Sequence, residues 1–304
     1  MAVLKVPEER DYAAITTANQ WKAIGLFCNR FRNDKDFWSD FRKLQGKEIT
    51  RKAKPNFKKV KAHLVNSWNT EKLIGISKET YDESLGGAVL HWIFPQAYYS
   101  TFSSALGAFE ARGWSESSHT AVLKKYSSLA KESSLPSILN VFAEGPPSNI
   151  KVFGLKHQSG KYQSTRFNSQ DQASIDTHIW HFLKSTRSIA CNEKKESFKF
   201  RTKNGCKRKN LTKENWKTVS DKIGSTSWMD LLYRKRIMAN YKDIETFFSD
   251  QIKVIEIIEG LEALVAVLNA VNEIFVASIV GIERVADDML EKFPKPVSRL
   301  NLYQ

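Results

Sequence analysis

The stretch Gln96–Lys125, QAYYSTFSSALGAFEARGWSESSHTAVLKK, decides the fold. Tyr98, Phe102, Leu106 and Phe109 recur at three- and four-residue steps, the period of a helix that buries one face. Arg112–Gly113 closes that helix, because a glycine just past the last apolar position suits the left-handed cap. Ser117 or Ser118 then offers a side-chain oxygen to the orphan amides of a second helix, with His119 in its first turn. The stretch therefore reads as helix, sharp turn and second helix, with Arg112 and His119 near one another at the tip of a helical hairpin.

Working outward, residues 11–44 read as one helix or two with a turn at Asn33–Asp34, since Trp21, Ile24, Phe27, Cys28 and Phe31 fall at helical steps. Helical signals also dominate from Trp68 to Arg112, where Pro95 predicts a kink or break. The second helix continues past Lys125 through Tyr126 and Leu129 toward Leu135, and Pro136 stops it. From about residue 149 to 219 the character changes. Ile150–Val152–Phe153 and Phe198–Phe200 read as short strands or extended segments, with a helix over Ala173–Ser188 between them. Residues 241–293 return to a strongly apolar helical pattern. A membrane span fails there, because Glu273 would sit at mid-bilayer beside Asn269 and Asn272. The polar residues share one stripe, which suits a helix buried inside a bundle or across a dimer, with Gly260 and Gly281 permitting close approach or bends.

The formal net charge is +14. Residues 241–293 are acidic on balance, so the positive excess lies before Tyr241 and favours a polyanionic partner, nucleic acid first. Two basic runs carry interleaved aromatic residues. The first spans residues 46–62 around Phe57. The second holds Lys194, Lys195, Lys199, Arg201, Lys203, Lys207, Arg208, Lys209 and Lys213 with Phe198, Phe200 and Trp216, and reads as a basic hairpin laid along phosphates. Three cysteines without a CxxC pair indicate neither a disulfide framework nor a zinc ribbon. The opening MAVLKVPEER lacks the apolar core of a secretory signal, so a reducing, cytoplasmic setting is expected.

The run Ala97–Tyr98–Tyr99, Ala105, Ala111–Arg112–Gly113 and Ser118–His119–x–x–Val122 resembles the HEPN superfamily of small helical-bundle domains. Leu232–Tyr233–Arg234–x–Arg236–x–x–Ala239–Asn240–Tyr241 is similar to the closing helix of the same domains. What the resemblance implies is metal-independent RNA cleavage in a cleft where two copies of an Arg-x4–6-His motif face each other. Arg112 would hold the phosphate and His119 would shuttle protons. Some of Arg234, Arg236, Asn240 and Tyr241 would line the same cleft, and a salt-bridged helix face is the alternative for them. The resemblance extends to toxin–antitoxin and antiviral defence systems, with a separate antitoxin or assembly subunit as partner. The departure is Gly113, where catalytic versions carry a polar residue. A structural or binding role for Arg112 and His119 therefore stands beside the catalytic one.

Other chemistry is thin. His178–x2–His181 offers two ligands on one helix face, but no third at diagnostic spacing, so no metal is expected. Gly154–x5–Gly160–Lys161 has the wrong spacing for a phosphate-binding loop, and no cofactor is expected. The expected fold is mainly α, a HEPN-like helical bundle with a small mixed α/β insertion. Residues 1–145 hold the first half of the bundle, 146–222 the basic insertion and 223–304 the closing helices. The expected function is an RNA-acting protein, an endoribonuclease effector, and the alternative is a non-catalytic nucleic-acid- or partner-binding subunit. RNA and a second copy of the chain are the expected partners, and no membrane.

Overall fold

A computed structural model describes residues 7–32, 34, 36–40, 55–116, 118–129, 131, 138–157, 162–198, 200, 210–241, 247, 249–281 and 285, with the backbone path alone at residues 7, 8, 240 and 241. The apolar periods become helices: α1 (Pro7–Arg32), α2 (Phe57–Glu79), α3 (Leu90–Ala111) and α4 (His119–Leu129). An antiparallel pair, β1 (Phe142–Glu144) and β2 (Lys151–Phe153), follows in the register Ala143 opposite Val152. Helices α5 (Gln172–Glu196), α6 (Lys213–Ile223), α7 (Trp228–Tyr241) and α8 (Val254–Val280) complete the described elements. The chain is thus mainly helical, with one small mixed region.

Local chemistry sets the helix starts. Asn56 Oδ1 accepts from the Lys59 amide at α2, Asp171 Oδ1 from the Ala173 amide at α5, and Thr212 Oγ1 from the Asn215 amide at α6. Each relieves an amide that the first turn leaves without a partner.

Helix α8 lies at the centre, packed on α1, α2 and α3. It is long and apolar enough to cross a membrane, yet 83% of its most apolar window is buried inside the bundle. Its polar residues are paired there. Trp68 Nε1 donates to Glu273 Oε1 at 2.8 Å. Asn269 Nδ2 donates to Glu71 Oε2 at 2.6 Å and Ser100 Oγ at 2.9 Å, while Asn269 Oδ1 accepts from Ser104 Oγ at 2.7 Å. Asn272 Nδ2 donates to Ser104 Oγ at 2.9 Å. At the crossing with α1, a Cβ on Gly260 would stand 2.2 Å from the Trp21 carbonyl oxygen, and one on Gly25 would stand 3.0 Å from Gly260 Cα. Only glycine lets the two backbones approach so closely. Gly281, at φ 98°, ends the helix.

Two expectations change and one sharpens. Helix α3 continues through Pro95 as one element, so no break occurs there. The proline costs about 3 kcal/mol in a helix interior, but Leu90, Ile93 and Phe94 around it are fully buried, at about 1.5–3 kcal/mol each. Of the two segments read as strands or extended, Lys151–Phe153 becomes β2 against β1, while Phe198 and Phe200 stack their rings 5.1 Å apart outside the described strands. Helix α4 ends at Leu129, before Pro136 is reached.

The small sheet is fixed from beneath by Arg187, which is 1% exposed. Its guanidinium donates to the carbonyls of Gly145, Ser220 and Gly224 and to the Ser220 hydroxyl. An isolated bridge from Ala143 to Thr226 then joins the sheet to the segment entering α7.

Candidate functional site

The two caps read from the sequence are present. Gly113 adopts φ 72°, its amide donates to the Glu110 carbonyl, and the Trp114 amide donates to the Phe109 carbonyl. That pair of bonds is a Schellman closure, completed by the Phe109–Trp114 ring contact at 5.9 Å. Ser118 Oγ accepts from the Ala121 amide at the start of α4.

The path between the caps is not a hairpin. Lys125 Nζ sits 4.3 Å from the Trp114 ring centroid and 5.7 Å from that of Phe109, and it bridges to Glu116 at 3.1 Å. His119 lies earlier along α3, its ring 4.7 Å from Phe102. Helix α4 therefore runs in the same sense as α3. Phe102 and Arg112 are separated by about 15 Å of helix axis at 1.5 Å per residue. The seven residues 112–118 can span about 24 Å when extended, enough to climb back that far. Arg112 is left at the far end, its guanidinium carbon 4.6 Å from the Phe275 centroid and 5.2 Å from Trp114. The structure does not bring Arg112 and His119 together.

Arg236 takes the expected place of Arg112. Packing of α7 on α3 draws the Ala97–Tyr99 block and the Tyr233–Arg236 block together, with His119 between them. Tyr98 Oη and His119 Nδ1 share a hydrogen bond of 2.7 Å. The rings of Tyr98, Tyr233 and Tyr99 lie 5.6, 6.1 and 6.2 Å from the imidazole. The Arg236 guanidinium carbon stands 5.0 Å from the Tyr99 centroid, 5.4 Å from Tyr98 and 5.6 Å from Tyr233. Among the described residues its buried Nε has no hydrogen-bond partner, and no carboxylate pairs with the guanidinium. Ring faces stabilise a cation without neutralising it.

Burial, and then the Arg236 charge, hold the His119 imidazole below its ordinary pKa. It is therefore neutral near pH 7 and able to accept a proton. Burial pushes the Tyr98 hydroxyl up, against the pull of Arg236, so it keeps its proton. Either the hydroxyl donates to Nδ1, leaving a proton on Nε2, or Nδ1–H donates to the hydroxyl and Nε2 is the base. His119 and Arg236 are both partly exposed, and Tyr99 is 38% exposed, so the cluster opens to solvent.

Arg234 faces another way, its Nη1 donating to Ser185 Oγ at 2.9 Å and Thr186 Oγ1 at 2.8 Å on α5. The Tyr241 side chain and Lys199, Arg201, Lys207, Arg208 and Lys209 lie outside the described residues. His181 stacks on Tyr162 at 3.6 Å, and His178 Nδ1 bonds the Ser174 carbonyl at 2.8 Å. Among the described residues no group of three or more His, Cys, Asp or Glu side chains could hold a metal. The sequence reading missed the Tyr98 hydroxyl, which it counted only as part of an apolar helix face. The signal was present, since Tyr98 sits in the same short run as His119.

Comparison with protein-family models, with curated proteins and with solved structures returns no match.

Proposed function

We propose that this chain acts on RNA as a metal-independent endoribonuclease of the HEPN-like kind, with His119 and Arg236 as its working pair. The observation that carries the reading is a guanidinium that pairs with no carboxylate among the described residues and is held on three tyrosine rings beside a neutral imidazole. Arg236 draws the non-bridging oxygens of a phosphodiester and offsets the charge that grows on them. His119 takes the proton of the ribose 2′-hydroxyl. The 2′-oxygen then bonds to phosphorus, the bond to the 5′-oxygen breaks, and the leaving oxygen takes a proton from water or from His119 of a second copy. Tyr98 holds the imidazole in one orientation. The net charge of +14 favours the polyanion's approach. A cytoplasmic toxin or antiviral effector restrained by a separate partner chain is the setting that fits such an activity.

One observation favours a second reading, a non-catalytic module that binds RNA or a partner: Arg112 is seated on Phe275 and Trp114, away from His119. The two separate in one experiment. Purified chain is incubated with labelled RNA in EDTA, alongside His119→Ala, Arg236→Ala and Arg112→Ala. Cleavage lost in the first two variants and retained in the third supports the enzyme. Salt-dependent RNA binding without cleavage in any of the proteins supports the module.

A further inference from the structure

A cleft of about 440 Å³ opens between α4, α5, α6 and α7, and the proposed RNA chemistry makes no use of it. Its floor is apolar, with Leu123, Ile189, Ile223, Ile237 and Met238, none of them sealed from solvent. Three exposed lysines stand around it: Lys124 on α4, Lys194 in the last turn of α5 and Lys222 in the last turn of α6. Arg234 adds a fourth cation. The carboxylates present are Glu193 and Asp230, and the latter already accepts from the Ser227 amide at 2.7 Å and hydroxyl at 2.9 Å.

A concave site of this size, apolar with a few converging polar groups, suits a small organic ligand. Cations from three helices converging on the rim select for negative charge, and the aliphatic floor selects for an apolar body. We propose that this cleft binds a small amphipathic organic anion, its apolar part on Leu123 and Ile237 and its acid group between Lys124 and Lys222. A polyanion alone would leave the floor unused, and a neutral ligand would leave the lysines unused. Thr120 and Tyr233 also line the cleft, so an occupant abuts the ring on which Arg236 rests. The proposal stands independently of the RNA reading.

The test uses the full chain with two probes, 8-anilinonaphthalene-1-sulfonate and dodecanoate, and with dodecanol as the neutral control. The sulfonate dye is expected to bind saturably and to be displaced by dodecanoate. Filling the cleft from two different helices, with Leu123→Trp or Ile237→Trp, is expected to weaken both probes by about tenfold or more. The double variant Lys124→Gln/Lys222→Gln is expected to weaken dodecanoate by about three- to tenfold, with dodecanol unaffected. On the unaltered chain, dodecanoate is expected to shield Lys124 and Lys222 from acetylation while the exposed Lys213 still reacts. Dodecanol binding as tightly as dodecanoate, a folded filled variant that still binds both probes, or equal acetylation with and without dodecanoate would each overturn the proposal.

Discussion

Two regions of this molecule hold polar groups against aromatic and apolar surroundings, one sealed and one open to solvent, and they do so in opposite ways. In the seam along α8, Asn269, Asn272 and Glu273 hydrogen-bond side chains on α2 and α3. At the His119 cluster the imidazole is hydrogen-bonded to Tyr98, and Arg236 faces ring surfaces. Groups that satisfy one another inside a core specify how helices dock. Groups held in place by aromatic faces, without neutralisation, keep their capacity for a ligand from outside.

The largest expected effect breaks the cluster without breaking the fold. His119→Ala and Arg236→Ala should each lower RNA cleavage by about 10²–10⁴-fold, read from single-turnover rates in EDTA. Their thermal midpoints should stay close to that of the parent chain. A variant that melts far earlier would place the cluster with the seam, as structure. Next comes the seam itself. Glu273→Ala leaves the Trp68 indole N–H without its acceptor and opens a void, and should cost about 3 kcal/mol, read from urea unfolding.

Arg112→Ala sharpens the contrast from the other side. It removes the contacts with Phe275 and Trp114 together with the rest of what the side chain touches, and should cost about 1 kcal/mol of stability or more, while the cleavage proposed for His119 and Arg236 should keep its rate within about threefold of the parent.

The smallest effect is the pH dependence. Burial holds His63, His119, His178 and His181 below the ordinary 6.5, the last down to about 4. The unfolded chain takes up those protons near 6.5 and the folded chain only further down, so acidification favours unfolding across that window. Asp230, pushed up to about 6 by burial, works in the opposite direction, because the folded state then binds its proton first. Among the described residues the lowered histidines outnumber the one raised carboxyl, and a net loss on acidification is the expected balance. Urea midpoints measured at pH 7 and pH 5 should fall, and His181→Phe, which keeps a ring on Tyr162, should flatten the decline.

What could be read in the sequence was chemistry local to the chain. Gly113 and Ser118 were legible because a cap depends on its own few neighbours. The burial of α8 was legible from Glu262 and Glu273, which stand eleven residues apart and so share one stripe. The meeting of Arg112 with His119 was misjudged, because a short link between helices suggests antiparallel neighbours. Here Trp114 and Lys125 fold the link back along α3 instead. Both blocks that build the candidate site were visible, but the choice of Arg236 over Arg112 is made by α7 packing on α3, more than a hundred residues apart in sequence. Strand β1 was invisible, since three residues carry no period to detect.

The glycine-to-glycine crossing of α1 and α8 bears on how the chain is made. Gly25 and Gly260 lie on opposite sides of more than two hundred residues, and their backbones meet only when both helices are present. At about 5–20 residues per second, the ribosome needs on the order of ten to fifty seconds between delivering one helix and the other. Through that interval the Gly25 side of α1 waits for α8, and the Trp21 ring can meet Phe94 and Phe182. A nascent chain of this kind is a natural client for holding chaperones, and stalling late in translation would leave it the most vulnerable.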